Sequence, residues 1–128
     1  MDGWSALRSY IERNYKIAED SLDCVKLVFR VSGSRTQAVR ITKIDDSGWA
    51  EISTAVCRED EISARDALVR SGTMLVGGLA LHGPGLVIFR YAFRLTNLDA
   101  EGFEEPLRLA VRYGDQLERE LCGGADLW

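Results

Sequence analysis

The sequence has one histidine, two prolines and three cysteines, and its apolar runs are short. Each scarcity removes a class of protein. Cys24, Cys57 and Cys122 are odd in number, far apart and without a CxxC spacing, so neither a disulfide framework nor a zinc site is indicated. Buried or incidental thiols in a reducing cytoplasm fit better. Charges interrupt every apolar stretch well before the ~18 residues that a membrane helix needs. The opening MDGWSALRSY lacks the basic and apolar regions of an export signal. The expectation is a cytoplasmic protein without a membrane span. There is no excess of base either: the formal net charge is −4, which opposes long-range attraction to nucleic acid while leaving room for a local basic patch.

Motifs for chemistry are equally sparse. No GxxxxGK[ST] or GxGxxG opens a helix, so nothing points to a nucleotide, and no cofactor is expected. There is no GxSxG elbow, and His82, beside a Gly-Pro-Gly turn, would have to serve alone as base to Cys57 or Cys24. His82 reads as a loop-edge histidine without a role. The acidic runs EDE at 59–61 and EGFEE at 101–105 fit helix N-termini, which attract carboxylates on electrostatic grounds. The sequence therefore predicts no catalytic residue, no metal site and no enzyme.

What is there is patterning. With 128 residues, 46% of them hydrophobic and 28% charged, the chain suits one domain spanning 1–128 with a core of its own. Trp4, Leu7, Ile11 and Tyr15 recur at helical spacing and predict a helix over about 3–17. Three alternating segments follow: CVKLVFRVSG, TQAVRITKI and GWAEISTAVC. The short polar turns between them require an antiparallel meander. Ser63 with Asp66 three positions on starts a second helix, which Gly72 is expected to stop. A hairpin turns at Gly83-Pro84-Gly85, with Gly77-Gly78 marking a bulge or a close backbone approach.

From Asp99 the period is helical again, with Phe103, Leu107, Ala110, Val111, Gly114, Leu117 and Leu121 on one stripe and Gly123-Gly124 closing it. A proline inside a helix costs about 3 kcal/mol, so the expectation is a short turn over 100–104. The main helix then starts near Glu105, with Pro106 at its first position. The resulting order is α-β-β-β-α-β-β-α, an α+β fold whose five-stranded antiparallel sheet is covered on one face by the N- and C-terminal helices.

The pleat sorts the strand VIFRYAFRL. Phe89, Tyr91 and Phe93 share the covered face with Val87 and Leu95, whereas Arg90 and Arg94 face the other way. The open face is predicted to hold Lys26, Val28, Arg30, Arg40, Thr42, Glu51, Ala80, Ile88, Arg90, Ala92 and Arg94, together with Val76. Such a mixed, basic and partly apolar surface suits a polypeptide partner or another subunit.

The element order resembles that of type III secretion chaperones. The segment LTNLDAEGFEEPLRLAVRYGDQLERELCGG is similar to the YbjN family, which shares that chaperone-like fold. The resemblance rests on the last strand, the Leu98-Asp99 step, Glu101-Gly102-Phe103 and the Asp115-Gln116-Leu117-Glu118 pattern. It covers the final half of the chain well and the first half by element order alone. By analogy it implies a dimeric, non-enzymatic protein that binds other polypeptides.

Candidate partner-binding residues are Trp4, as an anchor, although its helical spacing with Leu7 and Ile11 favours burial in the core, and Arg30, Arg40, Arg90 and Arg94. Candidates for a homodimer contact are Ala64, Leu68 and Met74, where small residues permit close helix approach. The competing expectation is a nucleic-acid or acidic-ligand binder using the four arginines.

Overall fold

The computed structural model describes residues 2–122. Three helices stand against one antiparallel sheet: α1 (Gly3–Asn14), α2 (Ala64–Thr73) and α3 (Ala100–Cys122). The sheet has six strands, one more than expected: β1 (Glu19–Asp20), β2 (Cys24–Ser32), β3 (Arg35–Ile44), β4 (Trp49–Arg58), β5 (Gly78–His82) and β6 (Leu86–Arg94). Their spatial order is β1-β2-β3-β4-β6-β5, so the meander holds and the hairpin adds its second strand to β4. The extra strand has two residues, too few to show any periodicity. It exists because Arg8 of α1 grips the backbone behind it, donating to the carbonyls of Ser21 (2.5 Å) and Leu22 (3.0 Å) and to the Asp20 carboxylate.

The helices also end elsewhere than the periodicity suggests. Helix α1 stops at Asn14 because Tyr15 swings into extended backbone, where its ring meets Phe29 and Phe103 edge-on. Helix α2 begins as read, with Ser63 Oγ accepting from the Asp66 N–H at 3.0 Å, but it runs through Gly72 to Thr73. Helix α3 is continuous across Pro106. Asp99 caps it, its carboxylate accepting from the Gly102 N–H at 2.7 Å, and the helix is under way before the proline arrives. Continuity puts Phe103 fully into the core and Leu107 beside it. Each such burial is worth roughly 1.5–3 kcal/mol, enough to offset the lost hydrogen bond. The expected stop at Gly123-Gly124 lies outside the described residues.

The core lies between the sheet and helices α1 and α3. Val25, Leu27, Val39, Ile41, Ile52, Phe89 and Phe93 rise from the strands to meet Leu7 and Ile11 of α1 and Phe103, Leu107, Ala110 and Leu117 of α3. Helix α3 lies mainly over β4 and approaches it closely at Gly114. A side chain there would place its Cβ 2.5 Å from Gln37 Nε2 and 2.6 Å from Thr54 Cγ2. Around this contact the interior is polar. Gln37 Nε2 donates to Thr54 Oγ1 (2.5 Å) and Glu118 Oε1 (3.1 Å), while the Thr54 hydroxyl donates to the Ala38 carbonyl (2.6 Å). Beside it, Arg35 pairs with Asp115 at 2.5 Å. Buried polar groups hydrogen-bonded in this way fix one register of helix on sheet, because any slip would strand them.

The other end of α3 is tied to α1 through Glu104, whose carboxylate accepts from Tyr10 Oη (2.7 Å) and from Tyr15 Oη. Both phenols are pushed above their ordinary value near 10. For Tyr15 the cause is burial and then the carboxylate; for Tyr10 it is first the bond to Glu104. Gly77 performs the close approach expected of it: at φ +70°, an added Cβ would lie 2.5 Å from the Arg90 carbonyl oxygen.

Two predictions follow from this packing. Gly114→Ala should cost about 1–3 kcal/mol by overpacking, read as a lower denaturation midpoint at unchanged slope. A phenol whose folded pKa is raised stabilises the fold fully below its unfolded pKa and loses that contribution as pH rises through about 10 and beyond. Tyr15→Phe should therefore lower stability near pH 8 by about 1–2 kcal/mol and reduce the further loss between about pH 8 and 11. Urea melts at the two pH values check both.

Candidate functional site

Two surfaces remain once the core is closed. One is the sheet face opposite α1 and α3. Register builds it row by row: Glu19–Lys26–Arg40–Ser53–Arg90–Gly78, then Cys24–Thr42–Glu51–Ala92, then Ile44–Trp49–Arg94. The four arginines of interest share this face but do not converge. Arg90 pairs with Glu51 across the strands at 2.5 Å, and Arg94 lies over the Trp49 ring at 5.7 Å. Arg30 donates to the Gly33 carbonyl of its own hairpin turn at 3.2 Å. Arg40 lines a crevice of about 240 Å³ with Glu19, Asp20, Ser21, Cys24 and Lys26. Lys26 pairs with Glu19 at 2.8 Å and holds that carboxyl below its usual range.

The sequence reading missed Trp49 on this face, with 41% of its surface exposed. The signal was available, since alternation from Glu51 places Trp49 on the same side. The anchor candidate Trp4 follows its helical spacing instead: it is half-buried against the core, and its indole N–H donates to the Leu22 carbonyl at 3.1 Å. It clips α1 to the loop before β2. Val76, assigned to the open face, precedes β5 and is not part of the sheet.

The second surface is a groove of about 440 Å³ between α2 and the β5–β6 hairpin. Ala64, Ala67 and Leu68 form one wall and Leu79, Leu81 and Val87 the other. Leu68 is 74% exposed and Leu81 61%, an unusual density of bare leucine for so short a helix and strand. Ala64 and Leu68, read as contact residues, are therefore brought together. Met74 is not: it lies on the far side of α2, beside Tyr113 and Leu117 of α3 and packed on the core. Arg70 fastens α2 to α3 through Glu120 at 2.5 Å, which lowers the Glu120 carboxyl from its usual value. Ser71 Oγ accepts from the Leu79 N–H at 2.9 Å, so α2 also closes part of the β5 edge.

The residues considered for chemistry stay apart. Cys57 is buried in the core opposite Val87, whereas His82 is exposed opposite Leu86, on the other face of the sheet. Cys24 is half-buried, its sulfur accepting from Thr42 Oγ1 at 3.4 Å; the side chain of Cys122 lies outside the described residues. Among the described residues no cluster of His, Cys, Asp and Glu has the arrangement of a metal site. No helix among them is long and apolar enough to cross a membrane.

No protein-family model matches the chain, and no curated protein matches it. Because Trp49 and Arg94 are exposed and bear no core load, Trp49→Ala should change stability by less than about 1 kcal/mol. A thermal melt checks this expectation.

Proposed function

We propose that the protein is a cytoplasmic, non-enzymatic binding module that acts as a homodimer and takes a polypeptide partner, in the manner of the secretion-chaperone-like proteins it resembles. One observation carries this reading. The α2–β5 groove gathers Ala64, Ala67, Leu68, Leu79 and Leu81 into an apolar strip rimmed by Glu59 and Ser63, the anatomy of a protein interface with an apolar centre and polar rim. Two small residues on the helix wall let another helix approach closely. A second copy presenting the same strip would bury both sets of leucines by a two-fold contact. The competing nucleic-acid reading is weaker. Glu51 and Glu19 stand among the cations of the open face and pair with Arg90 and Lys26, which suits spaced charges better than a continuous phosphate backbone.

Light scattering at micromolar concentration should give twice the chain mass. Leu68→Glu with Leu81→Glu should return the chain to a monomer while leaving its circular dichroism and melting cooperativity intact. A wild-type monomer at tens of micromolar would sink the dimer.

A further inference from the structure

The open sheet face suits an occupant of different chemistry from the α2 groove. Its strands carry Lys26, Arg30, Arg40, Arg90 and Arg94 against two carboxylates, Glu19 and Glu51, in a chain whose formal net charge is −4. The acidic character therefore belongs to the rest of the surface, and this face opposes it. Beside the cations this face carries small or apolar side chains, paired as Val28–Ala38 and as Ala55–Ile88–Ala80. Ala55 and Ile88 are covered, whereas Val28 is 44% exposed and Ala38 and Ala80 are half-buried. Arg40 and Arg90 flank Ser53 in one row, so their backbones lie two strand spacings, or about 10 Å, apart. That is about the width of an α-helix with its side chains. At one end of this face Trp49 lies exposed beneath the Arg94 guanidinium, the aromatic and arginine pairing on which binding energy concentrates.

We propose that this face binds an acidic, amphipathic polypeptide segment. Its apolar stripe would lie along Val28, Ala38 and Ala80, its carboxylates would engage Arg40, Arg90 and Arg94, and a bulky side chain would rest on Trp49. Charge complementarity selects this occupant. The interleaved Glu51 selects a polypeptide over a nucleic acid, because a continuous phosphate chain cannot avoid that carboxylate, whereas a peptide can place a neutral side chain opposite it. Glu51 then acts as a stand-in for the ligand, holding Arg90 extended until a partner carboxylate takes over. The inference deepens the protein-binding reading by naming the partner's chemistry. It does not depend on the dimer.

The test uses the full chain and three labelled probes in fluorescence anisotropy: an amphipathic helical peptide of glutamate and leucine, its lysine and leucine counterpart, and a single-stranded oligothymidine. The Glu/Leu peptide should bind, more weakly as salt rises, and the Lys/Leu peptide should not. Arg90→Glu with Arg94→Glu, or Trp49→Ala, should weaken binding about tenfold or more. Glu51→Gln should tighten it about two- to threefold, a gain that no unfolded or damaged variant would show. The Leu68→Glu, Leu81→Glu chain should bind the acidic peptide as wild type does, which separates this site from the groove. The proposal is overturned if the acidic peptide does not bind, if both peptides bind equally, or if oligothymidine binds more tightly. It is equally overturned if the reversal of Arg90 and Arg94 leaves binding unchanged or the groove variant abolishes it. Loss of self-association in the arginine variant with no change in peptide binding would assign the face to a second copy and overturn the proposal as well.

Discussion

The seating of α3 on β4 at Gly114 is the contact on which the rest of the structure depends. A residue without a side chain lets the helix come down far enough for Glu118 to meet Gln37, which also holds Thr54 of the neighbouring strand. At that depth the stripe from Phe103 to Leu117 meets the strand side chains instead of standing off them. The apolar surfaces supply the driving force, while the polar cluster chooses one alignment among several of similar burial. Glu104 extends the same alignment to α1 by taking both tyrosine hydroxyls, and Arg70 extends it to α2 through Glu120. One helix thus positions the other two.

This division of labour leaves the opposite sheet face out of the folding problem. Its long cationic side chains cover small ones, and the ion pairs there join neighbouring strands, not sheet to helix. Exposed pairs of that kind contribute little to stability, so the face can specialise in binding. The α2–β5 groove is less independent, since its helix is fixed from behind by Arg70 and its strand by Ser71. A ligand in the groove meets a wall already set in place.

Much of the fold is legible in the sequence because period-2 and period-3.6 patterns report directly which side chains must be buried. The strands from Val25, Val39, Ile52 and Phe89 and the stripe of α3 follow from that alone. Features set by single polar contacts do not. Strand β1 depends on Arg8 reaching across space, the end of α1 on Tyr15 finding Glu104, and the passage of α3 through Pro106 on what Phe103 gains by burial. Gln37 carries no sign in the pattern that a glutamine would enter the core. For the candidate surfaces, alternation placed the arginines on one face. Who pairs with whom required the register, which sets Glu51 against Arg90 and Trp49 against Arg94. The groove could be anticipated at Ala64 and Leu68 but not at Leu81, since its far wall comes from a hairpin distant in sequence from the Ala64 end of α2.

The bond from Leu79 to Ser71 has a bearing on selectivity. A sheet edge left open welcomes almost any extended chain, because backbone groups are the same in every sequence. Here one edge is covered at Val25 and Lys26 by the two-residue strand of Glu19 and Asp20, and the other has its leading N–H already taken by α2. At those positions the main chain is not free to pair, which leaves recognition there to side chains. On the proposed reading a partner would have to match the shape of the leucines or the spacing of the arginines, and such a protein would discriminate among sequences instead of collecting exposed strands.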